Sequence, residues 1–267
     1  MLKDITLGQF FPGNSVVHKL DPRMKIILTA IYIAILFTAD NLFALSAGVV
    51  FLVFINLVSK IPVKMILKSL KPIVPIILFT SILNLFFITG GKELFKWWIF
   101  RITSQGVEMT VFMVIRIICL IAGTSLLTYT TSPITLTDAI ERLLSPLKKI
   151  KVPVHELAMM MTIALRFIPT LIEETDKIMA AQKARGADIE TGGLMKRAKA
   201  LIPILIPLFV SAFRRADELA LAMECRCYHG GEGRTRLKQL KTAPRDYFAL
   251  ILTLAVLSAV ILINIYL

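Results

Sequence analysis

Two cysteines, an arginine and a histidine crowd the stretch A-M-E-C-R-C-Y-H-G-G, residues 222–231. Three chemistries could use them: metal ligation, thiol redox exchange, or a helix end that presents Arg226. On a helix, Cys225 and Cys227 fall on nearly opposite faces and cannot grip one ion together. Cys225 and His229 share a face only if the helix runs on, and two ligands fall short of a zinc site. The Gly230–Gly231 pair predicts that the helix ends near there. With three cysteines in all, an odd number, the chain has no disulfide framework and fits a reducing compartment.

Other reactive pairs are incomplete. His155-Glu156 begins an H-E-x-x-H pattern, but Met159 stands where the second histidine must be. Glu173–Glu174 is a carboxylate pair of the kind intramembrane proteases use with a nearby arginine, but Thr-Asp-Lys follows it. No G-x-x-x-x-G-K-[ST] is present, so the chain has no P-loop of its own for ATP. Gly230-Gly-Glu-Gly follows a helix, whereas a phosphate loop joins a strand to a helix. No metal ligand set and no catalytic residues are expected.

Arg226 has a counterpart. D-K-I-M-A-A-Q-K-A-R-G begins at Asp176 and D-E-L-A-L-A-M-E-C-R-C at Asp217, an offset of 41 residues. Asp176 and Asp217 each precede an arginine by nine residues, Arg185 and Arg226. Ile178 matches Leu219, Ala181 matches Ala222, and each copy follows an apolar run broken by proline. Two helices ending in a small–Arg–small tripeptide, Ala184-Arg185-Gly186 and Cys225-Arg226-Cys227, read as two equivalent docking points.

The elements that must carry them lie in a membrane. The 267-residue chain is 56% apolar, yet its formal net charge is +13, with a mean hydropathy of +0.75. In a soluble protein that charge would point to nucleic acid. Here the apolar runs are long enough to cross a bilayer, so the charge reads as topology and interfacial contact, with no nucleic-acid partner. Five spans are expected, near 25–39, 42–58, 73–89, 107–129 and 247–267. Basic residues cluster before the first, between the second and third, and in 131–245, which holds 19 of the 31. Positive-inside places these regions in the cytoplasm, the N-terminus in and the C-terminus out. The opposite loop carries Trp97–Trp98, suited to an interface belt. Nothing at the start resembles a cleaved signal.

The expected fold class is therefore an all-α integral membrane protein with about five transmembrane helices plus long cytoplasmic or interfacial coupling helices. Its parts are a membrane domain over 1–130, a coupling domain over 131–245, and a last span over 246–267. Within the coupling domain, Ile140, Leu143, Leu144 and Leu147 predict an amphipathic surface helix, with Asp138 as N-cap and Glu141 at N3. The runs 155–172 and 201–213, interrupted by prolines, read as interfacial helices packed on the bundle. Inside span four, Arg116 must face protein or water. It meets a partner or lipid head group, or pairs with Glu108. Cys119 in the same span reads as a small apolar filler.

These residues resemble a known family. The two small–Arg–small ends are similar to the paired Ala-Arg-Gly motifs of the energy-coupling factor (ECF) transporter transmembrane component, the T component. Ala184-Arg185-Gly186 fits fully, and Cys225-Arg226-Cys227 keeps the arginine between altered neighbours. Leu20-Asp21-Pro22-Arg23-Met24-Lys25, Thr130-Thr-Ser-Pro133 and the run from Tyr228 to Arg236 resemble the family too, so the likeness covers essentially the whole chain. It implies a non-catalytic coupling subunit of a multi-pass importer in the cell membrane. Two cytosolic ABC ATPase subunits would each accept one motif arginine, and ATP and Mg would be used by them, with no cofactor bound by this chain. A small membrane-embedded substrate-binding subunit, packed on the coupling helices, would be reoriented to take up a vitamin or transition-metal ion. Asp21, Pro22, Arg23, Lys25, Arg116, Asp176 and Asp217 are carried as structural or coupling positions. The competing readings are a membrane-embedded hydrolase or protease on Glu173/Glu174 or His155/Glu156, and an autonomous permease. A permease would place polar or broken helices at mid-membrane, and spans one to three have few such residues.

Overall fold

The computed structural model describes residues 10–88, 90, 93–97, 100–187, 193–230 and 240–266. Their contacts form two units, one of Gly8–Ala139 with Leu240–Leu267, the other of Ile140–Gln239.

The first unit is a helical bundle. It holds α1 (Pro22–Thr38), α2 (Leu42–Ser59), α3 (Val63–Leu70), α4 (Val74–Phe87), α5 (Ser104–Thr130) and α9 (Pro244–Tyr266). Local chemistry sets the starts. Asp21 caps α1 by accepting from the Arg23 N–H at 2.9 Å, and Pro22 occupies the first helical position. Thr103 caps α5 through the Gly106 N–H at 3.2 Å. At α9, the Asp246 carboxylate reaches back to the Ala243 N–H at 2.6 Å, half of a capping box.

Tyr32, Ile35, Leu36, Leu45, Phe51, Phe112, Cys119 and Val260 form the centre of the bundle. Cys119 is the buried filler the sequence predicts. The contact between α1 and α5 is close. A side-chain carbon on Gly123 would stand 2.3 Å from Tyr32 Cε1, so only glycine lets the ring lie there. Between α4 and α5 the chain forms a two-stranded antiparallel hairpin, β1 (Glu93–Trp97) and β2 (Phe100–Thr103), which the hydropathy pattern does not reveal. Trp98 lies outside the described residues.

Among the described residues, five helical segments are long and apolar enough to cross a membrane: Leu42–Ser59, Val63–Phe87, Ser104–Thr130, Val154–Ala184 and Pro244–Tyr266. Four coincide with expected spans. The helix carrying the expected first span has 17 residues, about 25 Å at 1.5 Å per residue, short of the ~30 Å hydrocarbon core. The fifth segment is instead a helix of the other unit. Its proline does not break it.

That second unit contains the end of α6 (Pro133–Leu144) from Ile140 on, a 3-10 turn over Ser145–Ile150, α7 (Val154–Ala184) and α8 (Leu194–Glu224). The α6 start differs from expectation. Asp138 lies inside the helix, and Ser132 caps it, its hydroxyl accepting from the Thr135 N–H at 3.4 Å ahead of Pro133. Leu147 falls in the 3-10 turn, because Pro146 interrupts the α-helical ladder.

Candidate functional site

The two runs expected as separate interfacial helices are the first half of one 31-residue helix, α7, and the middle of another, α8. Pro169 sits inside α7, and Pro203 and Pro207 sit inside α8. Each proline removes one helical N–H and frees the carbonyl four residues back. Pro207 thus frees the carbonyl of Pro203, and the Gln182 amide of α7 donates to it at 3.2 Å. Farther along, Glu174 of α7 accepts from Arg215 Nη2 at 2.7 Å and from the Ser211 hydroxyl, both on α8. Moving up α7 from 174 to 182 moves down α8 from 215 to 203, so the helices pair antiparallel. Neither Gln182 nor Arg215 stands out in the sequence. The signal for Gln182 is the proline four residues beyond its acceptor.

The far ends of α7 and α8 carry the two predicted motifs, and their backbones match bond for bond. At α7, Gly186 N–H donates to Lys183 O at 3.0 Å and Ala187 N–H to Gln182 O at 3.0 Å. At α8, Cys227 N–H donates to Glu224 O at 2.8 Å and Tyr228 N–H to Met223 O at 3.1 Å. Every donor and acceptor in the second set is 41 residues beyond its counterpart, the sequence offset of the repeat. Both sets are the Schellman closure of a helix C-terminus, whose hallmark is a left-handed residue just past the cap. Gly186 fills that place with φ 84° and Cys227 with φ 55°. The departure from Ala-Arg-Gly therefore leaves the backbone shape unchanged.

Arg185 is the C-cap of α7, and the bond pattern gives Arg226 the same position one residue past Cys225. Ala184, Arg185, Gly186, Cys225, Arg226 and Cys227 are all exposed. The macrodipole favours a cation there, and each guanidinium presents a rigid fork of donors from a helix end with small flanks. Asp176 is half-buried on α7 and Asp217 exposed on α8, so the repeat does not extend to a shared environment for them.

The candidate reactive pairs serve other ends. His155 Nδ1 lies 3.0 Å from Glu141, while Glu156 is exposed. Glu173 is exposed, and its neighbour Glu174 is the one engaged by Ser211 and Arg215. Among the described residues, no three His, Cys, Asp or Glu side chains are grouped to hold a metal ion.

In the bundle, Asp21, Pro22, Arg23 and Lys25 form a junction. Asp246 accepts from the Asp21 N–H at 2.8 Å, and Arg23 grips the Asp21 carboxylate with Nη2 at 2.6 Å. Arg23 Nη2 also donates to Leu240 O at 3.3 Å. Lys25 is buried, with its ammonium donating to His18 O, Thr130 O and Thr131 Oγ1 at 3.1, 2.9 and 3.3 Å. All three of its donors are used. The junction ties the start of α1 to the end of α5 and the start of α9. Arg116 donates to Ala39 O and lies 4.4 Å over the Phe112 ring, so among the described residues its partner is a carbonyl, in place of Glu108.

The chain is similar to known proteins over nearly its whole length. The family described as CbiQ, cobalt transport protein, matches residues 13–237. The chain is 56% identical over 268 residues to the energy-coupling factor transporter transmembrane protein EcfT of Clostridium kluyveri, covering 100% of this chain and 99% of that one. It is 54% identical to the protein of that name from Ruminiclostridium cellulolyticum over 99% of this chain and 98% of the relative. The Bacillus subtilis protein of that name is 46% identical over 98% of both chains.

Proposed function

Because the chain belongs to the CbiQ family and, within it, to the energy-coupling factor transporter transmembrane proteins of the cell membrane, we propose that it is the coupling subunit of an ABC-type importer. Arg185 and Arg226 each dock in a groove of one of two cytosolic ATPase subunits. A separate small membrane subunit binds the substrate, a vitamin or a transition-metal ion, and packs on the long helices α7 and α8. ATP and Mg act in the ATPases, and this chain transmits the motion they generate.

The observation that supports this reading is the pair of matching helix closures, 41 residues apart, each presenting one exposed arginine. Two equivalent docks suit two equivalent partners. The exposed flanks let a partner surface approach the guanidinium, which offers bidentate geometry to carboxylates and carbonyls. The α7–α8 pair is cross-linked at Gln182–Pro203 and at Glu174–Arg215. A displacement imposed on either arginine end therefore moves both helices together.

Isolation of the tagged chain in mild detergent, with mass spectrometry of whatever is retained, tests the assignment. Two nucleotide-binding proteins and one small hydrophobic protein are expected. Recovery of the chain with no nucleotide-binding partner would argue against it.

A further inference from the structure

We propose that the bundle holds one acyl chain of an anionic phospholipid in a cavity between α1, α2, α5 and α9, with the lipid phosphate on Arg245. The cavity has a volume of about 460 Å³, within the ~300–1,000 Å³ usual for a ligand site. Its walls are apolar, from Leu28 and Ile55 to Leu126, Phe248 and Leu252. The lining runs from Lys25 to Tyr32 on α1 and from Pro244 to Thr253 on α9. At 1.5 Å per residue that is about 10–14 Å, close to the ~15 Å depth of one leaflet's hydrocarbon. Toward the bundle centre the lining includes Tyr32, which packs against Gly123 and beside Phe51, ring centroids 6.2 Å apart.

The outer end is cationic, and its two basic residues differ. The Lys25 ammonium is committed to three protein oxygens and has no donor to spare. Arg245 lines the same cavity, is exposed, and among the described residues has no hydrogen bond or ion pair. An apolar slot of one-leaflet depth, beside a guanidinium that no described residue engages, matches the chemistry of a chain below a phosphate. In a membrane-embedded bundle, lipid is the apolar species at hand. The cavity lies where α1 and α9 begin and α2 and α5 end, so the occupant comes from one leaflet.

Native mass spectrometry of the full-length chain in mild detergent, offered 1-palmitoyl-2-oleoyl phosphatidylglycerol or the matching phosphatidylcholine, tests this. The chain should retain a single phosphatidylglycerol, preferred about tenfold or more, as expected for one charge-assisted contact. Ala249→Trp, which fills the slot, should reduce retention of both lipids at least about tenfold. Arg245→Gln should remove the preference while leaving weak retention of either lipid, and Arg214→Gln, an exposed arginine of the other unit, should change nothing. Undiminished retention in Ala249→Trp, or an undiminished preference in Arg245→Gln, would overturn the proposal. Arg245 is exposed, so its variant decides the matter even if the tryptophan variant does not fold.

Discussion

The side-chain amide of Gln182 donates at 3.2 Å to the carbonyl of Pro203, the acceptor that Pro207 leaves without a helical partner. A proline inside a helix is thereby repaired from the neighbouring helix, and the repair holds α7 to α8. Gln182→Ala should cost about 0.5–1 kcal/mol of stability. In a Pro207→Ala background it should cost nothing measurable, because the new residue supplies the missing N–H. Thermal unfolding of the four proteins of this cycle in detergent checks the coupling. Equal losses in both backgrounds would mean that the contact is incidental.

Gly186 and Cys227 occupy equivalent left-handed positions, but only one is glycine. A non-glycine residue there carries a steric penalty of roughly 1–2 kcal/mol. Gly186→Val should destabilise the α7 end by about that amount and weaken partner recovery. Cys227→Gly should relieve the penalty and keep partner recovery at or above the wild-type level. Loss of recovery in Cys227→Gly would show that the thiol has a role beyond filling space. Titration of assembled complexes on an affinity resin makes the comparison.

Lys25 is a buried structural cation rather than an interfacial anchor. Lys25→Ala leaves three oxygens without their donor and should cost about 2–4 kcal/mol. Lys25→Arg should fail as well, because a planar fork does not fit a site built for a compact ammonium. An anchor would accept arginine freely. Arg23→Ala should cost less, about 0.5–1 kcal/mol, since its side chain is 23% exposed beside Asp21. Detergent melting temperatures of the three variants rank these effects.

Much of this is legible in the sequence alone. Long apolar runs and clustered lysines and arginines reveal the membrane class, because bilayer thickness dictates run length. The 41-residue repeat reveals both arginine-bearing helix ends, because a helix terminus imprints small residues and a cation locally. What was hidden depends on contacts distant in sequence. Prolines at 169, 203 and 207 read as breaks, yet α7 and α8 run through them, and the repair at Pro207 comes from another helix. Asp138 fits a cap pattern, but the Ser132-Pro133 start is stronger and lies six residues earlier. Arg116 and Lys25 both find backbone oxygens, Ala39 for one and Thr130 for the other, and carbonyl acceptors leave no trace in residue identity. Glu174 reads as half of a carboxylate pair, whereas Arg215 and Ser211 claim it from α8.

The central claim is that each arginine end docks one ATPase. Removing one such contact should cost about 2–5 kcal/mol of binding, so single substitutions weaken assembly and the double should abolish it. The direct measurement is ATPase recovery with tagged Arg185→Glu/Arg226→Glu protein, after confirming normal membrane insertion. The account predicts no ATPase above background. Undiminished recovery of both ATPases with the inserted double variant would contradict it.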